Sequence, residues 1–199
     1  RFLATSRDWA RPSPWPRQAA VIPLRMTIDR EALAANWRWF RDRSGVPAAA
    51  AVKADGYGLG ARLVVETLHA AGARSFLVST FAEADALGPP GAGAELLVLH
   101  GFAAGDAPVA ARLPWARPVL NTKAQVAAWA AAFPGRAADL MVETGMHRLG
   151  LDPADVGAAC AAVPVETIHS HLAAADEPDN PMAEAQRARF REVAAATPG

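Results

Sequence analysis

Cysteine and tyrosine each occur once in this chain, and neither sign of charge is in surplus. The lone Cys160 excludes an internal disulfide framework and any zinc site built from several cysteines. It lies in the alanine-rich run Gly157 to Ala162 and reads as part of a packed helix face. Twenty Lys and Arg balance twenty Asp and Glu, so the basic surplus that nucleic acid or an acidic membrane surface requires is missing. No apolar run reaches membrane-spanning length without a charge, glycine or proline. The N-terminal region carries arginines but not the long apolar core of a secretory signal. The cytoplasm is therefore the default location. The scarcity of tyrosine works the other way, because it makes the position of Tyr57 informative.

Both ends read as those of a fragment: the chain of 199 residues opens on Arg1 rather than methionine and stops at Pro198-Gly199 after a helical pattern. Residues 1–20 hold Pro12, Pro14 and Pro16 among arginines and tryptophans without any period. They read as an extended or disordered arm. Organised sequence begins near Val21, and Met26 is an alternative start.

From there short apolar runs alternate with longer alanine-rich, helix-periodic segments. Strands are expected over 21–28, 48–53, 75–80, 96–99, 118–120, 138–143 and 165–171. Helices are expected near 30–43, 59–71, 82–87, 105–112, 123–132, 153–162 and 182–196. Asp29, Thr122 and Asp152-Pro153 mark helix starts. Such alternation means βαβ units and a parallel sheet. Doubly wound sheets and (β/α)8 barrels both fit. The distinctive residues fall at several strand ends, which favours a TIM-type barrel. Leaving the first strand aside, about six βα units are present, so the barrel is incomplete.

Three segments carry chemistry. In Ala51-Val52-Lys53-Ala54-Asp55-Gly56-Tyr57-Gly58-Leu59-Gly60 a lysine closes an apolar run and a glycine-rich turn follows. Desolvation there would free a neutral amine for Schiff-base chemistry. The turn precedes a helix, whose N-terminal amides attract phosphate, and it lacks the spacing of a nucleotide P-loop. In Glu143-Thr144-Gly145-Met146-His147-Arg148-Leu149-Gly150 a strand ends on a carboxylate, and Arg148 can hold an oxyanion. In His169-Ser170-His171-Leu172-Ala173-Ala174-Ala175-Asp176-Glu177 alternation puts His169 and His171 on one strand face. That pair reads either as polar residues at a barrel mouth or as metal ligands joined by Asp176 or Glu177.

Together these segments resemble the alanine racemases. Val52 to Gly58 is similar to the family's pyridoxal-phosphate attachment motif V-K-A-[ND]-A-Y-G-H-G, Glu143 to Gly150 to its D-T-G-M-x-R-L-G, and Ser170 to Glu177 to its [ST]-H-F-A-x-A-D-E. They occur in the family's order, and the resemblance runs from about Leu24 to the end. It implies that residues 21–199 form part of an N-terminal pyridoxal-phosphate barrel whose C-terminal β domain is absent here, with the first strand belonging to that β domain. It also implies a homodimer, an amino-acid substrate and D-alanine supply for peptidoglycan. Lys53 would form the Schiff base with pyridoxal 5'-phosphate and act as one acid–base. Tyr57 would bond the cofactor phosphate, Arg148 its phenolic oxygen, and His171 would lie beside the pyridine ring; no metal is implied.

The chain departs from the family at several positions. Leu59 stands where histidine is frequent, Leu172 where phenylalanine is, and Glu143 where aspartate is usual. Met141 stands where some members carry a carbamylated lysine that orients the arginine, so Arg148 must be held otherwise. The second catalytic base and the partner of the pyridine nitrogen lie outside this chain, which is expected to be inactive alone. Two other readings are a pyridoxal-phosphate-binding barrel without catalysis and a metal-dependent barrel hydrolase using His169 and His171.

Overall fold

The computed structural model describes residues 26–197. The expected arm over 1–20 lies outside them, as does most of the expected strand over 21–28. Its described part, Met26 to Ile28, is not a strand but a lead into the first helix. Asp29 caps that helix by accepting the backbone N–H groups of Glu31 and Ala32.

The described elements run α1 (Arg30–Ser44), β1 (Ala50–Ala51), α2 (Lys53–Tyr57), α3 (Ala61–Ala70), β2 (Ser75–Val78), α4 (Phe81–Leu87), β3 (Glu95–Val98), α5 (Ala107–Arg112), β4 (Ala116–Leu120), α6 (Lys123–Ala132), β5 (Ala138–Met141), α7 (Val156–Ala162), β6 (Val165–His169) and α8 (Pro181–Ala196). Six strands pair in chain order, every neighbour parallel. Consecutive parallel strands with a helical crossover after each make an incomplete α/β barrel. Among the described residues, neither β1 nor β6 has a partner on its outer side.

Alternation along each strand divides the side chains between two faces. Phe76, Val78, Leu96, Val98, Ala116, Leu120, Ala138 and Leu140 pack with the helices in the main core. Leu97, Val119 and Met141 form a separate cluster on the inner face, bordered by Leu77 and Leu99. One residue pair below it the inner face is polar. Ser75 donates to Glu95, Arg117 bridges Glu95 and the fully buried Asp139 at 2.6 Å each, and Asp139 meets His169 Nε2 at 2.7 Å. This chain of charge-assisted bonds takes one member from each of β2 to β6. It is why Asp139 can be buried at all.

Every observed strand except β4 ends earlier than its apolar run suggests. Lys53, Glu143 and His171 each fall just past a strand rather than within it. Their backbone has left the sheet to build the loops around the barrel mouth.

Candidate active site

The turn after β1 has a left-handed course. Ala54, Asp55, Gly56, Tyr57 and Gly58 all have positive φ, from 51° to 85°. For Ala54, Asp55 and Tyr57 this costs about 1–2 kcal/mol each. The turn is tied down by Gly56 N–H to the Val52 carbonyl (2.9 Å) and Gly60 N–H to that of Asp55 (2.9 Å). Glu83, on α4, accepts the Ala54 N–H at 2.9 Å and the Ser79 N–H at 2.6 Å. A Cβ on Gly56 would lie 3.1–3.2 Å from Val64 and Ala61, so glycine serves there for both conformation and space.

At the start of α3, the expected phosphate site, the first N–H is taken by the chain itself. Asp55 Oδ1 accepts the Ala61 N–H at 2.7 Å, so the anion at that helix start is the chain's own carboxylate.

Across the mouth, residues 143–150 form a closed loop. Its stem is the Val142–Leu151 bridge, with Glu143 N–H to the Leu151 carbonyl at 2.9 Å. The stem ends approach so closely that a Cβ on Gly150 would sit 2.5 Å from the Glu143 nitrogen. Inside the loop, the Glu143 carboxylate accepts the N–H groups of Gly145 and His147. Burial pushes its pKa up, but the N–H groups of Gly145, His147 and Met146 outweigh this and hold it below the ordinary carboxylate value.

Arg148 leaves this loop and places Nη2 3.1 Å from His171 Nδ1. A guanidinium can only donate, so Nδ1 accepts and the imidazole carries its proton on Nε2. Burial, then the positive charges of Arg148 and Lys53, push the His171 pKa below its usual value. The donated bond from Arg148 and this shift both favour the neutral imidazole.

Lys53, Arg148 and His171 line one cavity of about 280 Å³ with Ser79, Leu99, His100, Met141, Met146 and Leu149. Larger clefts elsewhere hold no comparable set of groups. Tyr57 is not among the lining residues, and its side chain is exposed. Nothing in the motifs points to Ser79 or His100, yet both lie just past β2 and β3, where barrel chemistry gathers.

The two histidines of the H-x-H pair part company. His169 turns down to Asp139, and His171 turns to a cation, the opposite of a metal's surroundings. Among the described residues no group of three or more His, Cys, Asp or Glu is placed to hold a metal ion. No described helix is long and apolar enough to cross a membrane.

A primary amine, a guanidinium and a neutral imidazole around a strand-end cavity are a donor set for a ligand with both a carbonyl and an oxyanion. The class is a parallel β/α-barrel protein with such a site at its mouth. The sequence model described as alanine racemase, N-terminal domain, matches residues 28–199. The chain is 45% identical over 172 residues to an alanine racemase of Jannaschia sp. (strain CCS1), covering 83% of this chain and 49% of that protein. It is 40% identical over 185 residues to one from Rhizobium meliloti (strain 1021), covering 88% and 48%. A crystal structure of alanine racemase from Bartonella henselae with covalently bound pyridoxal phosphate superposes with a TM-score of 0.76 at 28% identity, covering 86% of this chain and 51% of that one. The chain belongs to the alanine racemase N-terminal domain family. It spans about half the length of the curated relatives it matches.

Proposed function

We propose that the protein containing these residues is an alanine racemase, interconverting L- and D-alanine with pyridoxal phosphate, and that this chain is its cofactor-binding portion. The observation that carries the reading is the convergence of Lys53, Arg148 and His171 on one cavity. The amine suits an aldehyde, the guanidinium a phenolic oxygen, and the neutral imidazole a ring that a second cation would repel. Leu99, Met141 and Met146 add an apolar lining for an aromatic ring. Tyr57 is assigned to the phosphate on the family resemblance alone.

When bound, pyridoxal phosphate supplies an electron sink that makes the α-hydrogen of an amino acid acidic. The chain's own residues do the rest. Lys53 Nζ would hold the cofactor and, once the amino group of the substrate has displaced it there, would be free as an amine to move the proton at Cα on one face. Arg148 would hold the phenolic oxygen of the ring, and His171 in turn receives a hydrogen bond from Arg148. Racemisation needs a second acid–base on the opposite face. Tyr57 lies four residues from Lys53 and is exposed to solvent, so it does not serve. The second group is assigned to a partner subunit, which makes the working form a homodimer. A cytoplasmic location and D-alanine supply for peptidoglycan follow from the same reading.

The test is spectroscopic and kinetic. The intact protein should show a cofactor absorbance band that disappears in Lys53→Ala and is insensitive to chelators, with alanine racemisation lost alongside it. Bound zinc without such a band would overturn the reading. A band without racemisation would leave a cofactor-binding barrel that does not catalyse.

A further inference from the structure

Met141 stands below the Arg148 loop, so no modified lysine is available there to hold the arginine. We infer that Gln186 of α8 is the residue that fixes the relative placement of Arg148 and His171, acting as a positioning residue for both. The inference rests on the cofactor-site reading above.

Gln186 is only 1% exposed, and every polar hydrogen of its amide is used. Its Nε2 donates to Thr144 Oγ1 at 3.2 Å and to the His171 carbonyl at 2.9 Å. Its Oε1 accepts the Ala173 N–H at 2.9 Å. One side chain therefore bonds the root of the Arg148 loop and two points of the segment that follows the His171 ring. Thr144 is itself buried, and its Oγ1 lies 2.6 Å from Ser170 Oγ, the residue before His171. Arg189, one helical turn further along α8, donates to the Thr144 carbonyl at 3.0 Å.

The backbone is shaped for this contact. A Cβ on Gly145 would lie 3.1 Å from Arg189 Nη1 and 3.3 Å from Gln186 Cγ, and Gly145 has a φ of 139°. The loop thus gives up a side chain to let α8 approach. A shift of Thr144 relative to the His171 carbonyl would break one of the two Nε2 bonds, and the 3.1 Å contact between Arg148 and His171 depends on the same separation. An amide is required, because it donates twice and accepts once in one plane.

In the intact protein, Gln186→Leu should weaken pyridoxal phosphate binding about tenfold, as loss of roughly 1.4 kcal/mol would. Affinity would be read by titrating apo-protein with the cofactor and following the Lys53-dependent band. Gln186→Glu keeps the acceptor for Ala173 but loses both donated bonds, so it should weaken binding comparably. Val193→Ala, which trims a buried apolar residue of α8 away from the loops, should lower Tm but leave affinity unchanged. Arg189→Gln, at an exposed position, guards against a Gln186 variant that fails to fold and should weaken binding about threefold. Unchanged affinity in the folded Gln186 variants, or in Arg189→Gln if those do not fold, overturns the inference alone. A loss of affinity in Val193→Ala matching that in Gln186→Leu does the same. Absence of any Lys53-dependent band in the unsubstituted protein overturns the site reading as well.

Discussion

Among the described residues Glu143 bonds neither the cation of Arg148 nor any other cation; its carboxylate grips the backbone of its own loop. Burial opposes its ionisation, yet three backbone N–H groups outweigh that and lower its pKa from the ordinary value of about 4.5. The folded value lies below the unfolded one, so the unfolded chain takes up the proton first as pH falls. The stabilisation is therefore full above the unfolded value and is lost as pH drops through the folded one. Amide exchange at Gly145 and His147, corrected for its intrinsic rate, should show constant protection near neutrality and falling protection as acidification passes through the lowered folded value. Glu143→Gln should remove that pH dependence. Glu143→Ala should cost about 2 kcal/mol in urea unfolding, the scale of lost charge-assisted bonds.

Among elements, the left-handed turn α2 is held in a conformation its own residues do not favour, and α4 is what holds it. Glu83 reaches from the first turn of α4 to the N–H of Ala54, directly after Lys53, and to that of Ser79. Glu83→Ala should destabilise the fold by about 2 kcal/mol, and exchange at Ala54 should rise more than exchange in β3. Glu83→Gln, with one strong acceptor left, should recover about half of that loss. This turn also marks where the sequence stops being readable. Gly56, Gly58 and Gly60 announce positive φ, and all three have it. Ala54, Asp55, Tyr57 and His147 share that conformation without being glycine: Glu83 holds the Ala54 N–H from α4, whereas Asp55 and His147 are tied within their own loops. The helix starts at Asp29, Thr122 and Asp152 are legible since each cap is a local bond. Gln186 and Glu83 are not, because each acts across more than ten residues through a contact that only the fold creates.

For the whole molecule, the six βα units, their parallel order and the convergence of Lys53, Arg148 and His171 follow from alternation and strand-end position. The polar inner layer does not, since Glu95, Arg117 and Asp139 look like surface charges until the strands bring them together. That layer stabilises the inner face of a sheet whose outer edges at β1 and β6 have no partner among the described residues. At the mouth above it, Arg148 and His171 are both exposed. An acid–base step at Cα depends on excluding water and on groups held at both faces. On the reading proposed above, this chain supplies one face, through Lys53. Its single tyrosine lies four residues from the lysine in sequence and is exposed to solvent. The 199 residues produced by themselves should therefore give no racemisation of alanine above the uncatalysed control, even with pyridoxal phosphate added in excess. The intact protein assayed in parallel should racemise it. Turnover by the 199 residues, with no other chain present, would mean that both faces are served from within them.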